Sequence, residues 1–108
     1  MMPSPVRVLI ADDEALIRMG LRTMLQDMGY EVVGAATGGR EALRMACEAA
    51  PDLAILDIKM PGLDGLEVAA AVAQRCPLPV IMLTAYSERH LVQRAAETET
   101  IQAYLVKP

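Results

Sequence analysis

Apolar residues along this chain follow two alternating rhythms: short unbroken runs, and longer stretches in which they recur every three or four positions. Val6 to Ala11 reads VRVLIA, a β-branched and leucine-rich run of the kind needed by a strand covered on both faces. From Glu14 to Met28, residues Ile17, Leu21, Met24, Leu25 and Met28 repeat at helical spacing, and Gly29 supplies the stop. Glu31 to Ala36 (EVVGAA) predicts a second strand. Thr37-Gly38-Gly39 then turns into a helix that places Ala42, Leu43, Ala46, Cys47 and Ala50 on one face, and Pro51 ends it. Leu53 to Leu56 continues as an apolar strand into Asp57. The turn-rich KMPGLDG follows, then a helix with Leu66, Ala69, Ala70 and Ala73 facing inward. Pro79 to Leu83 predicts the fourth strand, and about Glu88 to Thr98 a helix burying Leu91, Val92, Ala95 and Ala96. About Gln102 to Val106 is the fifth strand.

Strands that alternate with helices, without repeat or linker, select a single α/β domain over residues 1–108, a doubly wound five-stranded parallel sheet. Its natural strand order is the flavodoxin-like 2-1-3-4-5. A fifth helix would ordinarily follow the last strand, and none is legible before Pro108. The chain therefore reads as the C-terminally truncated part of a longer protein. The uncovered sheet face is expected to be apolar and to pair with a second copy as a homodimer.

In a sheet of this kind the C-terminal strand ends share one edge. Three of them run into reactive groups: Asp12-Asp13 after the first strand, Asp57 after the third and Lys107 after the fifth. Asp12, Asp13 and Glu14 could serve only as a helix start, since carboxylates suit that end of the helix dipole. Beside Asp57, however, they would repel one another unless a cation neutralised them. Mg²⁺ fits, because it takes oxygen ligands and uses few carboxylates plus phosphate oxygens. Thr84, after the fourth strand, adds a hydroxyl donor and Lys107 a flexible cation. A phosphoryl group on Asp57 would need those partners.

Composition narrows the partners. Net charge is −4, from 10 Lys and Arg against 14 Asp and Glu, which argues against direct nucleic-acid contact by this segment. Phe and Trp are absent while Met occurs 8 times, so base-stacking platforms are not expected. No apolar run reaches a membrane span of roughly 18 residues, and MMPSPVR lacks a signal-peptide layout. A cytoplasmic location is expected. Cys47 and Cys76 are expected to be buried free thiols, while His90 and the pair Arg18 and Arg22 read as surface residues.

The segments VRVLIADDE, LAILDIKMPGLDG, VIMLTAYSE and AYLVKP resemble the receiver domain of bacterial two-component response regulators, and they span the chain from first strand to last. The resemblance implies that Asp57 is the phosphoacceptor. It makes Asp13 and Asp57 direct Mg²⁺ ligands, with Asp12 holding metal-bound water and the Lys59 carbonyl a further ligand. Thr84 and Lys107 would contact the phosphoryl oxygens, and Ala85 would be the small neighbour that leaves room. Tyr104 stands where the family's switch aromatic does, coupled to Thr84. The donor would be a histidine kinase or phosphotransfer protein, and the chain a signalling domain rather than an enzyme. The stretch from EALIRMGL to AYLVKP is similar to receivers of antitermination regulators with an RNA-binding ANTAR domain; a DNA-binding transcription factor or a stand-alone relay protein are the alternatives. A flavodoxin-type cofactor domain conflicts with Asp12-Asp13-Glu14, which would repel a flavin phosphate. A haloacid-dehalogenase-like phosphatase conflicts with Lys59, where that family carries a second Asp.

Overall fold

The computed structural model describes residues 4–85 and 100–107. Its elements run β1 (Arg7–Ala11), α1 (Ala15–Asp27), β2 (Glu31–Ala36), α2 (Gly39–Ala49), β3 (Leu53–Asp57), α3 (Gly65–Arg75), β4 (Val80–Thr84) and β5 (Ile101–Val106). The five strands form one parallel sheet in the order β2-β1-β3-β4-β5, as the alternation of elements predicts. The expected helix from Glu88 to Thr98, and His90 with it, lies outside the described residues.

Side chains of a strand alternate between the two faces, and both faces of this sheet are covered, which is why the strands read as unbroken apolar runs. Leu9, Ala54, Leu56, Val80 and Met82 point to the side that carries α2 and α3. Val8, Ile10, Ile55 and Leu83 point to the α1 side, where Leu25 is buried against them and Leu21 packs at the margin.

Three helical faces depart from the sequence expectation. On α3 the buried residues are Gly65, Leu66, Val68, Ala69 and Val72, while Ala70 is exposed. The helix is buried on a wide face because it packs against both the sheet and α2. On α1, Met24 and Met28 lie 51% and 63% exposed, since only Leu25 of its apolar positions is fully buried. Leu16 and Met19 on the same helix, and Leu105 and Val106 at the end of β5, are likewise exposed. On α2, Cys47 and Ala50 are exposed rather than inward.

The cysteines also depart from expectation. They are not free thiols: a disulfide joins Cys47 in the last turn of α2 to Cys76, the residue that caps α3, with Cα atoms 5.5 Å apart. Their separation of 29 residues misled the sequence reading. Helices on one side of a parallel sheet run the same way, so α2 and α3 end side by side at the edge where the strands begin.

Candidate functional site

The opposite edge gathers the reactive residues. Asp12 leaves β1 fully buried, and its backbone N–H donates to the Ala36 carbonyl at 3.1 Å. One of its carboxylate oxygens accepts from the Glu14 N–H at 2.8 Å, an Asx turn just ahead of α1 rather than a cap on it, since the helix starts after Glu14 with no side-chain cap. The other, Oδ2, is buried without a hydrogen-bond partner; the Lys107 ammonium lies 3.1 Å away, outside hydrogen-bond geometry. Arg18, read from sequence as a solvated surface residue, instead donates to the Asp12 carbonyl at 2.8 Å. The helix turn carries it back over the strand end.

Asp57 closes β3 and is 2% exposed. Two glycines fix the loop that follows. The Gly65 N–H donates to the Ile58 carbonyl at 2.7 Å, and a Cβ on Gly65 would overlap the Asp57 carbonyl oxygen. A Cβ on Gly39 would overlap the Leu63 carbonyl in the same way. Asp64 and Glu67 then cap α3 reciprocally, at 2.8 and 3.1 Å. Gly65→Ala is therefore expected to cost about 2 kcal/mol by overpacking and to displace Asp57. Chemical denaturation, read beside any activity of the site, checks both effects.

Lys107 reaches back from the end of β5, where its N–H donates to the Thr84 carbonyl at 2.8 Å. Its ammonium lies 2.9 Å from Asp57 Oδ2 and 3.0 Å from Glu14 Oε1. One cation thus serves three carboxylates. One oxygen from each of Asp12, Asp13, Glu14 and Asp57 falls within 4.8 Å of the others. Four anionic oxygens so close, two of them from the buried Asp12 and Asp57, are a hard-donor set that suits a small divalent cation. Glu14 is the residue that the sequence reading left out of its site, although it completes the acidic run Asp12-Asp13-Glu14.

Burial pushes the Asp57 carboxyl up from 3.8 to about 6; Asp12 and Asp13 add to the rise, and Lys107 opposes it. A group that holds its proton more tightly when folded stabilises the fold fully below 3.8 and loses that contribution as pH rises through about 6. The thermal midpoint of the metal-free protein should therefore carry a downward step across that window. Asp57→Asn should lack the step, which a pH series on the two proteins measures. Burial pushes the Lys107 ammonium down, but its hydrogen bonds to Asp57 and Glu14 and the Asp12 carboxylate beside it push it up further. Its contribution is complete below its ordinary 10.5 and is lost only above it.

Thr84 is buried, and its hydroxyl donates to the Ala85 carbonyl at 3.0 Å. Met82 pairs with Tyr104 and Thr84 with Val106 across β4 and β5, so Thr84 and Tyr104 belong to the same sheet face one step apart. Tyr104 is half-buried against the α2 and α3 core, and burial pushes its phenol above the ordinary 10.0. Lys59 is exposed in the loop after Asp57.

An acidic pocket bridged by a lysine thus lies at the carboxyl edge of a parallel 2-1-3-4-5 sheet, the edge at which open α/β domains bind their ligands. The chain belongs to the response regulator receiver domain family, whose family model matches residues 8–108, and it is accordingly the receiver of a two-component response regulator. It is 52% identical over 104 residues to the transcriptional regulatory protein PdtaR of Mycobacterium tuberculosis strain H37Rv, covering 96% of this chain and 50% of that protein. The chain thus spans about half the length of that curated relative. Among solved structures, the signal receiver domain of a modulated diguanylate cyclase from Desulfovibrio desulfuricans G20 superposes with a TM-score of 0.88 at 40% identity, covering 97% of this chain and 83% of that one. The response regulator TrrA from Thermotoga maritima, in complex with Mg²⁺ and BeF, superposes with a TM-score of 0.84 at 39% identity, covering 95% and 87%.

Proposed function

We propose that Asp57 accepts a phosphoryl group from the phosphohistidine of a histidine kinase or phosphotransfer protein. The observation that carries this reading is the convergence of the Lys107 ammonium on Asp57, Glu14 and Asp12 within 2.9 to 3.1 Å. An Asp57 oxygen attacks phosphorus in line with the scissile P–N bond; as the O–P bond forms, the P–N pair of electrons returns to the imidazole, which takes up a proton. Lys107 donates to a phosphoryl oxygen, holding charge at the point where it accumulates. Thr84 turns its hydroxyl from the Ala85 carbonyl to a second oxygen, and Ala85 leaves the space for it. Asp12, Asp13 and Asp57, with the Lys59 carbonyl, would hold Mg²⁺, which when bound neutralises the anionic oxygens of the transferred group. Water attack on the acyl phosphate resets the domain.

The response is a population shift. A phosphoryl group brings about −1.5 to −2 charge units, and movement of Thr84 toward it opens space on the face it shares with Tyr104. Tyr104 turns inward to fill that space, biasing the surface beside β5. The output is transcriptional or post-transcriptional control, through an RNA-binding ANTAR-type antitermination domain in the longer protein. A DNA-binding output or a stand-alone relay is the alternative. A cytoplasmic location, beside the catalytic portion of its kinase, goes with this reaction. Among the described residues no helix is long and apolar enough to cross a membrane.

Incubation with a small phosphodonor and Mg²⁺ tests the reading. The expected result is a mass gain of one phosphoryl group per chain, dependent on the cation. Continuous turnover of phosphate esters without a labelled protein would contradict it.

A further inference from the structure

We infer that Cys47 and Cys76 form a reversible redox site that fastens the far ends of α2 and α3 together. Both helices are already held at the phosphoacceptor edge, α2 by the close approach of Gly39 to Leu63 and α3 by that of Gly65 to Asp57. Their other ends meet in the disulfide, with Cα atoms 5.5 Å apart, a backbone spacing in the middle of the range that disulfides adopt. Cys47 is exposed and Cys76 half-buried. The pair lines an open depression with Ala46, Pro51, Pro77 and Leu78, so small oxidants and reductants reach the sulfurs directly. The site lies at the edge of the sheet away from Asp57; its reversibility rests on the cytoplasmic location that goes with the phosphoacceptor reading, while thiol counts and melting report on the cysteines whether or not Asp57 is phosphorylated.

Disulfides that form inside cells are characteristically transient and redox-sensing rather than structural, and an accessible pair suits that use. The oxidant class is a peroxide. The exposed Cys47 thiolate attacks a peroxide oxygen, the O–O bond breaks, and hydroxide takes up a proton and leaves as water. The sulfenic acid left on Cys47 is then attacked by the Cys76 sulfur, which forms the S–S bond and releases a second water. Sulfur is oxidised by two electrons overall and the peroxide is reduced by two. In reverse, a dithiol attacks Cys47, Cys76 leaves as a thiolate, and the second thiol of the reductant resolves the mixed disulfide. Both cysteines end helices, where the dipole disfavours a thiolate. The closed form is therefore favoured, and a dithiol is a better reductant of it than a monothiol.

The test compares the protein after hydrogen peroxide with the same protein after dithiothreitol. Alkylation under denaturing conditions followed by intact mass should count no free thiol in the first sample and two in the second, with the oxidised chain monomeric on a non-reducing gel. For a cross-link closing a loop of this length, the oxidised form should melt about 10 °C or more above the reduced form, and dithiothreitol should reverse the difference. Cys47→Ser and Cys76→Ser should each melt near the reduced protein and ignore both reagents. Two alkylatable thiols after peroxide, a sulfinic acid on Cys47, a cross-link between chains, or equal midpoints for oxidised and reduced wild-type protein would each overturn the inference. The comparison of oxidised with reduced wild-type protein requires no variant to fold.

Discussion

Asp57→Asn is expected to take up no phosphoryl group from a small phosphodonor in the presence of Mg²⁺, a loss of at least about a thousandfold in labelling rate. The amide lacks the anionic oxygen that must bond to phosphorus. Loss of folding is not the cause to expect, because Lys107 keeps Glu14 at 3.0 Å and Asp12 at 3.1 Å as counter-charges. Asp57 is itself held up to about 6 by burial and by its acidic neighbours, so its neutral replacement relieves repulsion. The variant should melt at or above the wild-type midpoint near neutral pH. Labelling and a melting curve on one preparation separate lost chemistry from lost structure.

Lys107→Ala should act in the opposite way on stability. Its removal leaves Asp12 and Asp57, both nearly inaccessible, facing Asp13 and Glu14 with no ion-pair partner among the described residues. Breaking one side of a buried ion pair costs about 3 kcal/mol, and denaturant titration without metal should find a loss of that order. Mg²⁺ should then stabilise the variant more than the wild type, because the ammonium no longer competes for Asp12 and Asp57. Phosphoryl uptake should nonetheless fall by roughly a hundredfold, the usual effect of deleting one charged donor from the oxygens that gain charge. Lys107→Arg should restore stability better than labelling, since a planar fork does not replace a point charge on a flexible stem. A variant that is less stable, binds Mg²⁺ more tightly and labels poorly would assign Lys107 to the chemistry as well as to the fold.

The sheet was legible because its signals are local. Unbroken apolar runs at β1, β3 and β4 follow from coverage on both faces, and the glycine and proline stops bracket the helices between them. The reactive strand ends were legible for a topological reason: parallel order brings Asp12, Asp57 and Lys107 to one edge whatever the side-chain details. Features that depend on pairwise geometry were not. Glu14 reaches Lys107 across 93 residues, and only its place in an acidic run hinted at that contact. Arg18 carries no sequence mark that distinguishes it from the exposed Arg22. Cys47 and Cys76 have no motif, and their disulfide follows from two helices ending together on one side of the sheet. The capping box Asp64 and Glu67 was readable in principle, as an acid followed three residues later by Glu at a helix start. Ala70 and Val68 show the limit of helical periodicity: a helix that packs against both a sheet and another helix buries a wider arc than the strongest single stripe suggests.

The central claim is that the phosphoryl group resides on Asp57 as an acyl phosphate. Reduction of the labelled protein with borohydride converts an aspartyl phosphate to homoserine, and peptide mass mapping then locates the converted residue. The account predicts homoserine at position 57 in the peptide containing Leu53–Asp57, with Asp12 and Asp13 unchanged. Conversion at either of those aspartates, or a label that survives on a histidine or hydroxyl residue, would contradict it.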